Sequence, residues 1–309
     1  MHSQRRARSA VLCASMAYQP HPMSPTDNAS QRFLFDQADV RGETVRLGST
    51  LIDMFNAQPY SRAVRQLLGE FAAAATLISN NLKYSGRVSL QARSEAALSL
   101  VMVECSSDRQ IRGIAQGEID HDSEDALDLI RGGQLALTIE REGGQRYQGI
   151  VALVGDSLAA ILEAYFAQSE QLSACFWLAS DGDRCAGLML QQLPAQIHSG
   201  AEREDAWSTV CALADTLQSS ELLSLASQDL LFRLYHDQMI RLFPAEQVVF
   251  KCRCNQARSA STLALLPEEE RAEIIAEQGC ISLTCELCGT TYRFDQINPD
   301  PERSSSTLH

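Results

Sequence analysis

Four cysteines toward the C-terminal end are the residues whose spacing most directly implies chemistry. Cys252-Arg253-Cys254 is a C-x-C pair and Cys285-Glu286-Leu287-Cys288 a C-x-x-C pair, with thirty residues between them. Two such pairs brought together supply four thiolates, the donor set that zinc takes in a closed tetrahedral site. Gly289 suits the tight turn after a zinc knuckle, and Tyr292 and Phe294 can pack beneath it. The spacing leaves the use of the site open. Zinc can be a permanent staple in a ribbon too small to fold alone, or an oxidant sensor. The C-x-x-C could also exchange disulfides with substrates, although no thioredoxin-like context surrounds it and zinc would occupy its thiols. A phosphate-binding ribbon is disfavoured, since 251–298 carries five basic and seven acidic side chains.

The other six cysteines stand singly. Cys280 is placed to compete as ligand or disulfide partner, but it reads more simply as a small buried hydrophobe. Cys105, Cys175, Cys185 and Cys211 fall on apolar faces of predicted elements and take the same core reading, and Cys13 takes no role. Nothing suggests an enzyme: the six histidines lie far apart, and neither a G-x-S-x-G turn nor a phosphate-cradling glycine loop occurs. His236 reads as partly solvated surface.

These residues must be positioned by a chain of 309 residues, long enough for one sizeable core and one or two smaller modules. A net charge of −13 repels nucleic acid and anionic membrane surfaces. No run approaches the roughly 18 apolar residues of a membrane span. Ten cysteines are too few for a secreted disulfide scaffold, which suggests a reducing cytoplasm.

Residues 1–30 are polar and aperiodic and read as a disordered leader; Ser15 inside the weakly apolar run, and Leu12 before Cys13, argue against a signal peptide. Val64, Leu67, Leu68, Phe71, Ala75 and Ile78 predict an amphipathic helix ending near Asn80 and facing a sheet. Strands are predicted over 88–92, 98–104, 135–139, 147–154, 174–178 and 185–190, with a helix over 157–172. A polar stretch over 194–205 marks a boundary. Leucine-rich helices are expected over 206–217 and 221–242, the second ended by Pro244. Pro267 and the following glutamates open a further helix that Gly279 closes.

The cysteine spacing, together with Arg32-Phe33-Leu34-Phe35, Val40-Arg41-Gly42-Glu43, Leu68-Gly69-Glu70, Tyr147-Gln148-Gly149-Ile150-Val151 and Tyr165-Phe166 with Ser169-Glu170-Gln171, resembles the heat-shock protein 33 family, the 33 kDa chaperonins. Ser173-Ala174 departs from that family's usual Pro-Thr pair, which touches only a local turn. The resemblance implies an α+β N-terminal chaperone domain (31–193), a helical metastable linker (194–250), a zinc-binding redox-switch module (251–298) and a disordered tail (299–309). It implies one zinc on Cys252, Cys254, Cys285 and Cys288 in the reduced state. Oxidation then joins Cys252 with Cys254 and Cys285 with Cys288 and expels the metal. The expected partners are unfolded or oxidatively damaged client proteins, held without ATP, and a second copy of the chain when oxidised.

Overall fold

The computed structural model describes residues 28–80, 85–169 and 173–295. The expected tail, Cys13 and most of the expected leader lie outside the described residues, as does the end of the helix predicted over 157–172. Strand β1 (Ala29–Phe35) begins inside the stretch expected to be leader. It is followed by β2 (Val40–Leu47), α1 (Ser49–Phe55) and α2 (Arg62–Ser79). Next come β3 (Gly86–Arg93), β4 (Leu98–Ser106), β5 (Gln110–Gly117), a 3-10 turn (Ala126–Ile130), β6 (Gln134–Arg141) and β7 (Arg146–Ala152). Helix α3 (Leu158–Ser169) leads to β8 (Ala174–Ser180) and β9 (Cys185–Gln192). Three helices follow, α4 (Gly200–Ala214), α5 (Ser219–Ser224) and α6 (Ser227–Tyr235), then short strands β10 (Ile240–Leu242), β11 (Glu246–Gln247) and β12 (Val249–Phe250). The described chain closes with α7 (Gln256–Leu263), α8 (Glu268–Gln278) and the hairpin β13 (Ile281–Thr284) and β14 (Thr291–Phe294).

The result is an α+β fold. One sheet runs β10-β1-β2-β9-β8, with β11 also on β1, and the other runs β12-β5-β4-β3-β6-β7. Among the described residues, no helix is long and apolar enough to cross a membrane.

Helix α2 was expected to show one apolar face. It shows two, because it packs against strands of both sheets. Val64, Leu67, Leu68 and Phe71 form the expected stripe, and Ala72, Ala73, Ala74 and Ala75 are just as fully buried. From Phe71 to Ser79 every residue is buried, as in a helix segment lying inside the protein, and the short alanine side chains let both sheets come close. Gly69 serves the same purpose: a Cβ there would lie 2.3 Å from Ser180 Oγ.

Strand β9 is buried along its whole length because its alternate residues enter different cores. Cys185 and Met189 join the core around α2. Ala186, Leu188 and Leu190 face the other way, into a second core completed by Leu222, Leu230, Leu231, Leu234 and Tyr235 of α5 and α6. Polar contacts fix these helices on the sheet. Thr44 Oγ1 donates to Ser227 Oγ at 3.0 Å, and Arg46 donates to the Leu223 and Leu225 carbonyls.

The helix predicted over 221–242 is corrected. It breaks at the extended residues Leu225 and Ala226 and ends at Tyr235, after which 240–242 forms β10 against β1. An open strand edge on β1 outweighs the helical leucine spacing. The edges of β1 and β5 likewise take up β11 and β12, so 240–250 contributes three short edge strands and no helix.

Glu43, on β2, is only 2% exposed. Burial pushes its carboxyl up to about 8, against the lowering effect of the Asn80 hydrogen bond and of the nearby Arg32 and Arg41 charges. An unfolded glutamate titrates near 4.5. Between these values the native state holds the extra proton, so Glu43 makes stability fall as pH rises. Glu43→Gln should remove this component, worth at most about 1.4 kcal/mol per pH unit for one proton. Urea melts across that range should show a flatter pH dependence for the variant; an identical slope would mean that Glu43 is ionised in the native protein.

Candidate metal centre

The first cysteine pair emerges directly from a sheet edge. Val249 and Phe250 of β12 lie parallel to Gln110 and Ile111 of β5, and Lys251 N donates to the Ile111 carbonyl at 3.0 Å. Arg253, between the two cysteines, turns back to the same sheet, where its Nη1 lies 2.8 Å from Glu104 Oε1. Beyond Cys254, Asn255 caps α7 by accepting from Arg258 N at 2.8 Å.

The second pair sits in the turn of the β13–β14 hairpin. Cys285 N donates to the Thr290 carbonyl at 2.9 Å, and Gly289 N to the Cys285 carbonyl at 2.8 Å. Gly289 has φ +70°, the left-handed conformation expected of the knuckle glycine. Glu286 accepts from Gln116 Nε2 on β5 at 2.7 Å, so this hairpin also rests on the second sheet.

The four sulfurs of Cys252, Cys254, Cys285 and Cys288 all lie within 4.8 Å of one another and could hold a metal ion. Cys252 and Cys285 are 3.7 Å apart, Cys254 and Cys288 3.3 Å. Sulfurs bound about 2.3 Å from one zinc at tetrahedral angles stand about 3.8 Å apart, so the donor set fits that ion. The Tyr292 hydroxyl donates to Cys254 Sγ at 3.3 Å, and Thr290 Oγ1 lies 3.3 Å from Cys288 Sγ. Burial raises the Cys252 and Cys285 thiols. At Cys288 burial also pushes upward, but the Thr290 hydrogen bonds and the Cys254 and Cys252 sulfurs prevail and bring it down to about 7.

The module beneath the sulfurs has little else to hold it. Only Leu263, Ile281 and Phe294 form its buried core among the described residues, and α8 has no buried residue. The expected cap is present: Pro267 precedes α8, and Gly279 closes it at φ +78°.

Cys280 stands outside the cluster, part-exposed and 4.0 Å from Ser282 Oγ. It is neither grouped with the four nor the buried hydrophobe expected, because the tight turn at Gly279 leaves it at the start of a two-stranded hairpin with one open face. Cys105 and Cys185 are buried as expected. Cys175 and Cys211 are only half-buried, and their sulfurs meet at 3.7 Å, a pairing that their separate places in the sequence do not signal.

An α+β fold built of two sheets, with a four-cysteine cluster near the C-terminal end of the described residues, defines a protein with a candidate structural metal site. The family model described as "Hsp33 protein" matches residues 28–295, and the chain belongs to the Hsp33 family. It is 46% identical to the 33 kDa chaperonin of Pseudomonas savastanoi pv. phaseolicola, over 89% of this chain and 93% of that protein. It is 47% identical to the 33 kDa chaperonin of Pseudomonas aeruginosa (strain LESB58), over 88% and 93%. The crystal structure of the 33 kDa chaperonin from Thermotoga maritima superposes with a TM-score of 0.74 at 21% identity, covering 86% of this chain and 94% of that one, a likeness of fold.

If these four sulfurs are the ligand set, Cys288→Ser should sharply lower bound zinc from one ion per chain, while Cys280→Ser should leave it unchanged. Tyr292→Phe removes the hydrogen bond to Cys254 and should weaken zinc affinity by roughly tenfold. Metal analysis after dialysis and competition with a chromogenic chelator measure both. Full zinc in Cys288→Ser would reject the assignment.

Proposed function

We propose that this protein is a redox-regulated, ATP-independent holdase chaperone of the cytoplasm, kept inactive by one zinc ion on Cys252, Cys254, Cys285 and Cys288. The observation that carries the reading is the convergence of four sulfurs over a module with three buried apolar side chains among the described residues. Family membership and the chaperonin relatives support the chaperone part.

When bound, zinc would hold all four sulfurs as thiolates and tie the C-x-C to the hairpin. A structural zinc contributes roughly 10 to 16 kcal/mol of apparent folding energy in small peptides. Disulfides joining Cys252 with Cys254 and Cys285 with Cys288 would close loops of three and four residues, worth only about 1.5 to 2 kcal/mol each. Such bonds leave the two motifs untied from each other. The sulfur separations do not select this pairing, which rests on the family resemblance.

The release would spread through the short strands that connect the cysteines with the helices. Residues Val249 to Lys251 are bound to the edge of β5, and 240–247 to β1, by few hydrogen bonds. Losing these frees α5 and α6, whose leucines cover the outer face of the first sheet. Both apolar surfaces then become available to clients. A homodimer of the oxidised chain would bury part of the same surface.

The test is to treat the zinc-loaded protein with peroxide under mild heat and follow zinc release, suppression of client aggregation by light scattering, and hydrogen exchange together. Zinc loss and holding activity should rise in parallel, independently of added nucleotide and approaching one chaperone per client. Protection should fall in α5, α6 and 251–295 while β3 to β9 keep theirs. Activity with zinc still bound, or α5 and α6 as protected as the strands in fully active protein, would overturn the mechanism. Disulfide mapping of the same samples should find Cys252 with Cys254 and Cys285 with Cys288.

A further inference from the structure

Strand β8 presents Cys175 and Trp177 on the side opposite Ala174 and Phe176, which belong to the core around α2. Helix α4 lies on that outer side. Trp177 Nε1 donates to Asp215 Oδ1 at 3.2 Å, just past the end of α4, and the Tyr235 hydroxyl of α6 donates to the Val210 carbonyl at 3.1 Å. Between these anchors the Cys211 thiol donates to Cys175 Sγ at 3.7 Å. Both cysteines are half-buried, so a small oxidant can reach them.

We propose that Cys175 and Cys211 form a second redox site, distinct from the four-cysteine cluster, in which hydrogen peroxide closes a disulfide that staples α4 to β8. A disulfide needs its sulfurs about 2.05 Å apart, so the pair must approach by roughly 1.7 Å, within reach of side-chain rotation. The Cys175 thiol gives its proton to solvent and the thiolate attacks one peroxide oxygen; the O–O bond breaks, leaving a sulfenic acid and a hydroxide that takes up that proton as water. Cys211 then attacks that sulfur, the S–O bond breaks, and hydroxide leaves with the Cys211 proton as a second water. Two thiols and one peroxide become one disulfide and two waters.

The geometry suits these roles. The hydrogen bond from Cys211 lowers the Cys175 thiol, although burial and the nearby Glu163 and Asp215 act against it. Cys105 and Cys185 make the contrast: both are fully buried, and burial raises both thiols.

The staple would keep α4 on the sheet while α5 and α6 separate, limiting how far the linker opens. This consequence rests on the proposed switch; formation of the bond does not. Zinc-loaded full-length protein is oxidised with hydrogen peroxide, alkylated, digested without reductant and mapped by mass spectrometry, with zinc release followed in the same samples. A Cys175–Cys211 linked peptide that thiol reductant abolishes is expected. Hydrogen exchange in α4 of the oxidised protein should be about tenfold faster in Cys211→Ala and in Cys175→Ala than in wild type. Free thiols at both positions once the cluster is oxidised, or cross-links only to other sulfurs, overturn the proposal. So does equal α4 exchange in wild type and variants. A linked peptide formed while zinc stays bound supports the second site without bearing on the zinc switch.

Discussion

The meeting of four sulfurs is the main contact between the two ends of the C-terminal segment, since the hydrophobic burial among its described residues is small. Leu263, Ile281 and Phe294 bury a few hundred square ångströms at most, whereas a self-sufficient small domain needs a larger core or a covalent or metal staple. The first cysteine pair belongs to a segment attached to β5, and the second to a hairpin turn. Any bond or ion spanning the two pairs therefore ties the module's first segment to its last.

That attachment has consequences in both sheets. The C-x-C follows β12 by one residue, and Arg253 binds Glu104 on β4, so the cysteine loop is attached to the second sheet at two strands. The preceding strands, β10 and β11, complete the edge of the first sheet. Between the cluster and helices α5 and α6 the chain is thus a succession of short edge strands, each held by few hydrogen bonds. Such segments lie at the low end of local stability.

The first sheet is what makes the helices consequential. With one face on α2 and the other under α4 to α6, strands β2 and β9 carry apolar residues toward both sides. Removing the helices would expose not only their leucines but also Phe33, Phe35, Leu188 and Leu190 of the sheet. Cys175 and Cys211 lie at the edge of this interface, where a covalent bond would set how much of it can open.

Much of this was legible from residue order alone. The C-x-C and C-x-x-C spacing singled out the four cysteines that meet in space, because ligand pairs close in sequence need only one fold-level contact to complete the set. Helical spacing located α2, and short apolar runs bounded by Gly, Asp or Ser located β3, β4 and β6 to β9. Pro267 and Gly279 bracketed α8, since caps are local chemistry. Tertiary contacts decided the rest. Only the second sheet buries Phe71 to Ser79 of α2 on every side, and only the open edge of β1 turns 240–242 into strand. The meeting of Cys175 and Cys211 requires α4 to be packed on β8, and residues brought together across 36 positions by packing leave no periodic signal in the chain.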